Sequence, residues 1–400
     1  MFLPGFVKKA IALLENQGYQ AYVIGGAVRD YFLGKTPDDY DISTDAHPQT
    51  MKKIFAAYFT LDTGLKHGTL TVFIDHHPIE ITTYRSEEDY EDFRHPKKVV
   101  FVSDLDTDLS RRDFTINAIA YNREILDRVG GISDLKNKII RAIGNPRERF
   151  GEDPLRILRA LRFAAELGFN IEAGTEKAIF ADAALIEKVS KERITAEFNK
   201  LIAAPGASAI IAAYFPVILI FLPEYRDIDP KPYLAAFRYL DDFSLRFGAF
   251  FLPLADKVTA VMKRLKYSKA QTKKVTFLVD SYRLRLNPDE KSLTELLFEY
   301  EYRDLICLID LKTAFSKVSG AGEEELAVVR RELNRIYHEK KYFRIADLKI
   351  GGRHLIKLGY KEGIGIRHVL KRLLTEVNAG IIANDKADLI KRAKTIKKEY

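Results

Sequence analysis

Between residues 22 and 44 the chain reads YVIGGAVRDYFLGKTPDDYDIST. Asp39 and Asp41 flank Tyr40 at the start of a β-branched run, and residues two apart on a strand share a face. Two carboxylates held side by side repel unless a cation neutralises them. Hard oxygen donors of this kind suit Mg²⁺, which takes one or two carboxylates together with substrate phosphates. Glu80, in EITTYR, is a candidate third carboxylate on a neighbouring strand. Upstream, Gly25 and Gly26 permit a tight turn that leaves amides uncovered. A helix over 27–33 follows and ends at Gly34. A helix start behind glycines is an anion site, and Arg29 adds a charge-assisted contact to phosphate. A phosphate cradle beside a carboxylate cluster is the equipment for two-metal nucleotidyl transfer. The Gly-Lys-Thr at 34–36 is not a P-loop, because Arg29 stands where its first glycine belongs. An Asp-x-Asp by itself also fits a capped turn with solvated acids. The order of glycine turn, short helix and acid pair is the more specific signal.

Two later stretches add to this set. RRDFTINAIA (111–120) places Arg112 to hold a triphosphate and Asp113 to accept from ribose hydroxyls; a plain helix start with Asp113 near its cap is the alternative. EDPLRILRALRFAAEL (152–167) predicts one amphipathic helix. Ile157, Leu158, Leu161, Ala164 and Ala165 share its apolar face, Arg156 and Arg159 lie opposite, and Arg162 is at the margin. Asp153 beside Arg156 offers an acceptor next to a donor. Cytosine and adenine each present an amino donor next to a ring acceptor, whereas uracil and guanine invert the pattern. One helix turn would thus select C and A without a template. A surface ion pair between these residues is the competing reading.

These residues need a scaffold. Amphipathic or β-branched patterns predict a helix over 5–17 and strands over 21–24, 40–43, 69–74 and 79–84, with a turn at 75–78. After Arg141 strand signals stop. Helical patterns then run over 152–167, 175–184, 194–202, 256–265, 291–302, 303–315, 323–340, 365–379 and 385–397. The expected architecture is α+β: a head with a small mixed sheet, then an elongated all-helical region. With 47% hydrophobic and 30% charged residues, the chain is expected to be globular rather than disordered. MFLPGFVKKA lacks the pattern of a signal peptide. The apolar stretch at 209–223 is too short for a comfortable membrane span and contains Pro216. The single cysteine, Cys307, fits a reducing cytoplasm. No histidine has zinc spacing with it, and His67 is a candidate neighbour of the active site. Net charge is +8, and residues 341–400 hold 15 Lys and Arg against 6 Asp and Glu, a surplus of nine. A basic end on a balanced chain indicates a polyanionic partner or, more plainly, a solvated helical face.

VIGGAVRD, DYDIST, EITTYR, RRDFTINAIA, EDPLRILRALRF and SKERITAEF, in this order, resemble the class II tRNA nucleotidyltransferases, in particular the bacterial CCA-adding branch of Firmicutes type. The resemblance covers roughly 20–205, and the stretch from Ala346 to Leu374 is more loosely similar to the family's tail. It implies a polymerase-β-like nucleotidyltransferase head (1–140), a base-recognising neck (141–205), a helical body (206–330) and a basic, tRNA-binding tail (331–400), in a seahorse arrangement. It implies Mg²⁺ on Asp39 and Asp41. It implies nucleotide contacts from Gly25, Gly26, Arg29, Arg112, Asp113, Asp153, Arg156, Arg159 and Arg162, with Glu80 in the catalytic set. Its substrates would be tRNA, CTP and ATP, with no membrane or obligate protein partner indicated. The span 86–110 resembles a full-length flexible loop, with Tyr90, Asp92, Arg94 and Pro96 matching, which favours addition of C, C and A over C alone. Glu88 and LDRVGG (126–131) depart from the family pattern. A bacterial poly(A) polymerase or A-adding relative shares these motifs, and an RNA-binding protein that kept the fold without the chemistry is a further alternative.

Overall fold

The computed structural model describes residues 3–90, 96–339 and 344–399. It comprises two compact units, Met1–Lys231 with Val261–Tyr267, and Pro232–Ala260 with Ser268–Tyr400. In the first unit the strands are β1 (Ala21–Ile24), β2 (Asp41–Thr44), β3 (Phe59–Leu61), β4 (Thr69–Ile74), β5 (His77–Thr83), β6 (Arg85–Tyr90), β7 (Pro96–Phe101), β8 (Ile119–Asn122) and β9 (Glu124–Asp127). Seven of them form one mixed sheet in the order β3-β4-β5-β2-β1-β8-β9, and β6 pairs with β7 as a separate hairpin. Within that sheet β2 and β5 run parallel and the other neighbours are antiparallel.

Register brings the chemistry together. Asp41 lies opposite Ile24 on β1 and opposite Glu80 on β5. The glycine turn that follows Ile24 therefore emerges beside the acid-bearing end of β2. Gly25 has φ +77°, a region that penalises any side chain. α2 (Gly26–Phe32), which follows α1 (Gly5–Glu15), has seven residues. Next come α3 (Pro48–Ile54), α4 (Leu105–Ser110) and α5 (Gly131–Asn137). Ile24, Tyr84, Leu105, Leu109, Ala118, Ala120 and Ile143 pack together as a buried cluster.

The mixed head and the helical remainder match the α+β expectation. Several details differ. β2 begins at Asp41, so Asp39 precedes the strand; Tyr40 between them turns inward, with its ring edge-on to Phe6. The turn at 75–78 shortens to Asp75 and His76, both at positive φ, with Ile74 paired to His77. Two residues of that conformation match the twist of a tight hairpin. A parallel strand pair, Ile139–Ile140 with Asn170–Ile171, extends sheet structure beyond Arg141. The helix expected over 152–167 is broken. α6 (Pro146–Glu152) stops, Asp153 is extended, and α7 (Leu155–Leu167) starts anew after Pro154. Proline disfavours helical geometry at the residue before it, which accounts for the break. α8 (Ala173–Asp182) and α9 (Lys191–Ala203) follow.

The second unit is helical. Leu293, Leu297, Leu305, Ile309, Val329, Leu333 and Ile336 form one buried cluster, and residues from Leu348 to Ile396 form another. Helices Phe243–Phe251 and Lys269–Ser281 had no counterpart in the sequence patterns. The first is apolar on nearly all sides, FSLRFGAFF, and so shows no period. Among the described residues no helix is long and apolar enough to cross a membrane.

Candidate active site

A concavity of about 420 Å³ in the first unit is lined by Gly25, Gly26, Arg29, Asp39, Asp41, Arg111, Arg112, Asp113, Asn117, Asp153, Arg156, Arg159, Arg162 and Phe163. Of the catalytic, metal and nucleotide-contact residues expected from sequence, all but Glu80 line it, and His67 does not. Glu80 stays one strand away, beside Asp41 in register.

The acidic end is under strain of a defined kind. Asp41 faces the groove. The protein walls around it, then Glu80 and Asp39, push its carboxyl up to about 6, while Arg112 pulls the other way. A carboxylate so placed gains most from a cation.

At the other end, six arginines line the groove. Each is aimed by a fixed partner. Arg29, one turn into α2, donates to Asp30 and to Asn117 Oδ1, each at 2.9 Å. Arg159, on α7, donates to Asp113 Oδ2 at 2.8 and 2.6 Å. Asp113 Oδ1 accepts from Phe114 N at 2.8 Å and Asn117 Nδ2 at 3.1 Å. Burial would raise the Asp113 carboxyl, but Arg159 with these hydrogen bonds outweighs burial and holds it at about 2. A ribose hydroxyl would have to share oxygens that already accept from these groups.

Arg156 N donates to the Asp153 carbonyl at 3.0 Å, while the two side chains engage other groups. Asp153 accepts from Arg193 on α9, at 3.1 Å to Oδ1 and 2.7 Å to Oδ2, and from Leu155 N at 3.1 Å. Arg156 donates to Glu152 at 2.6 Å and to the carbonyls of Arg149 and Arg111 at 3.1 and 2.9 Å. Asp153 lies in the break between α6 and α7, outside the single helix expected to carry both residues. Arg156 and Arg162 are also buried, contrary to the exposed and marginal positions expected from a single helix. Arg162 donates to Glu197 Oε2 at 2.7 Å and Glu166 at 2.6 Å. Its guanidinium lies over the Phe163 ring at 3.8 Å, with Arg29 at 5.3 Å and Arg159 at 5.4 Å from the same centroid.

Sequence reasoning missed Arg111, Asn117 and Phe163. Arg111 and Asn117 stood inside RRDFTINAIA. Phe163 follows Arg162 within an apolar pattern, which reads as core. Of the loop residues matched to the family, Asp92 and Arg94 lie outside the described residues.

A strand–glycine turn–helix facing paired aspartates at the entry to an adjacent strand defines a nucleotidyltransferase head, and residues 21–141 match the family described as the poly(A) polymerase head domain. Residues 168–215 match an RNA- and SrmB-binding site of polymerase A, and 249–393 match domain 2 of tRNA nucleotidyltransferases. The chain is 34% identical over 407 residues to a CCA-adding enzyme of Streptococcus thermophilus, covering 97% of each chain. It is 36% identical over 382 residues to one of Lactobacillus helveticus, covering 93% of this chain and 92% of that one. The chain belongs to the CCA-adding enzyme family, within the class II nucleotidyltransferases. A crystal structure of the Bacillus stearothermophilus CCA-adding enzyme in complex with CTP superposes with a TM-score of 0.81 at 29% identity, covering 99% of this chain and 98% of that one. The Thermotoga maritima enzyme complexed with tRNA shares the fold, with a TM-score of 0.63 at 22% identity.

Proposed function

We propose that this chain adds C, C and A to the 3′ end of tRNA from CTP and ATP, without a nucleic-acid template, releasing pyrophosphate at each addition. The observation that carries this reading is the groove itself: Asp39 and Asp41 share one concavity with the glycine turn and with the arginines of both later motifs. Similarity to CCA-adding enzymes along nearly the whole length supports the choice of substrates.

The donor set fits a divalent cation. Among the described residues no cluster of three His, Cys, Asp or Glu is placed to hold a metal alone. A carboxylate pair plus substrate phosphates is the arrangement Mg²⁺ favours, and the raised Asp41 carboxyl is the mark of a site wanting positive charge. Asp39 and Asp41 would hold the ion, with Glu80 adding negative charge behind them. When bound, it supplies activation of the attacking 3′ hydroxyl and neutralisation of the leaving pyrophosphate.

The other roles belong to the chain's own side chains. Arg29 and Arg112 hold the triphosphate against the Gly25–Gly26 turn. Asp153 accepts from the amino group of C or A, and Arg156 donates to the ring nitrogen beside it; Arg193 and Glu152 preset the two. Asp113 fixes Arg159 in the wall, and Glu197 fixes Arg162. The division into head (1–140), neck (141–205), body (206–330) and tail (331–400) stands as part of this proposal, with the basic tail contacting tRNA phosphates. A reducing cytoplasm suits the lone Cys307.

The test is to sequence the 3′ ends of products made from tRNAs lacking three, two and one terminal residues, with CTP, ATP or both. Completion to CCA from all three substrates is expected. Runs of A with ATP alone would replace this reading with a poly(A) or A-adding enzyme. No incorporation with Mg²⁺ present would leave an RNA-binding protein.

A further inference from the structure

Two residues outside the groove hold its arginines. Asp108, on α4, is fully buried, and Ser43, on β2, is nearly so. A buried carboxylate is costly unless it is paired and hydrogen-bonded. Asp108 Oδ1 accepts from Arg111 Nε at 3.0 Å and Nη2 at 2.6 Å, and from Arg85 N at 3.3 Å. Asp108 Oδ2 accepts from Arg112 Nη2 at 3.2 Å and from Ser43 Oγ at 3.4 Å. Arg112 Nη2 also donates to Ser43 Oγ at 3.1 Å. Burial would push the Asp108 carboxyl up, but Arg112 and Arg111 outweigh it and keep it below the ordinary carboxylate range.

Placement gives the trio its meaning. Ser43 follows Asp41 by two residues on β2, so both use the same face, roughly 7 Å apart along the strand. The strand that presents an acid to the groove thus also anchors the cation meant for the triphosphate. Among the described residues Arg112 Nε is buried and has no hydrogen-bond acceptor. Arg112 lines the groove, so a guanidinium clamped through Nη2 is placed to meet an anion there with its remaining donors.

We propose that Ser43 and Asp108 are positioning residues for the incoming nucleotide: they fix Arg111 and Arg112 at a set distance from Asp41, so that triphosphate and acid pair meet in register. The proposal rests on the nucleotidyl-transfer reading of the groove. Ser43→Ala removes the hydroxyl and leaves the arginine; Asp108→Asn removes the anchoring charge. In the full-length chain, affinity for CTP and ATP is read by calorimetry in EDTA, and KM and kcat are read on tRNA substrates. Ser43→Ala is expected to weaken both nucleotides about tenfold in Kd and KM, with kcat within about threefold and KM for tRNA unchanged. Asp108→Asn, where it folds, is expected to weaken them further. Ser43→Thr, which keeps a hydroxyl on a strand, recovers most of the loss. Nucleotide Kd within twofold of wild type in folded Ser43→Ala overturns the proposal, even if thermal stability falls. Failure of the wild-type chain to add any nucleotide would overturn the transferase reading instead, so the two failures are distinct.

Discussion

At the scale of single residues, the groove is built from charges that are dissatisfied or over-satisfied in opposite ways. Asp41 holds its proton up to about pH 6, first because the groove wall desolvates its carboxyl and then because Glu80 and Asp39 add negative charge. A carboxyl raised in the native state binds protons that the unfolded chain has released, so this group's contribution to stability falls as pH rises from about 4 to about 6, and the full cost stands above that. Asp41→Asn is therefore expected to lower nucleotide incorporation on the order of 100-fold or more, while the metal-free protein melts no earlier than wild type at pH 7.5. A clear drop in its melting temperature would count against Asp41 as a strained acid. Asp113 is the opposite case. Its carboxyl is depressed from 3.8 to about 2, which corresponds to about 2 kcal/mol. That stabilisation is complete above about pH 4 and is lost as pH falls through about 2. In denaturant titrations, Asp113→Asn is expected to be less stable than wild type at pH 7, and the gap is expected to narrow steadily below pH 4. A gap that does not depend on pH would mean that Arg159 is not its source.

At the scale of elements, α7 and α9 are joined by ion pairs that hold the arginine wall. Glu197 and Arg162 are both buried and meet at 2.7 Å. Glu197→Gln leaves a buried guanidinium short of its charge and is expected to cost about 3 kcal/mol, measured as a shifted urea midpoint with unchanged slope. A loss below about 0.5 kcal/mol would mark the pair as replaceable. How legible these elements were depended on what each pattern records. β1 and β4 alternate or run apolar between turns, and both were readable to the residue. β8 and β9 were not, because each has only four residues and IAYNREILD mixes polar and apolar residues without a clear alternation. Motif order placed almost the whole groove. What it did not supply was pairing: Arg193 with Asp153 lies 40 residues apart, and Arg159 with Asp113 lies 46 apart. Such pairs are set by packing of elements, and no local period encodes them.

For the molecule as a whole, charge is divided unevenly. The surplus of nine in residues 341–400 exceeds the net charge of +8 for the full chain, so residues 1–340 sum to about neutral. If the basic end contacts the tRNA backbone at four phosphates, binding is expected to weaken about 100-fold between 50 and 200 mM salt. Filter binding over that range reads the slope directly, and a flat response would assign the affinity to uncharged contacts. CTP binding to the groove, where arginines are matched by nearby acids, is expected to fall less steeply over the same range.

Pro154 sets where the two helices part. An uninterrupted helix through 146–167 would be the default for this stretch, and the imino acid is what forbids it. Restoring an amide there, as in Pro154→Ala, invites the two segments to fuse, and each residue gained rotates what precedes it by about 100° around a common axis. The carboxylate at 153 would then be carried off its arginine on α9. If Asp153 reads the base as proposed, Pro154→Ala is expected to lower the preference for CTP over UTP, measured as incorporation with each nucleotide alone.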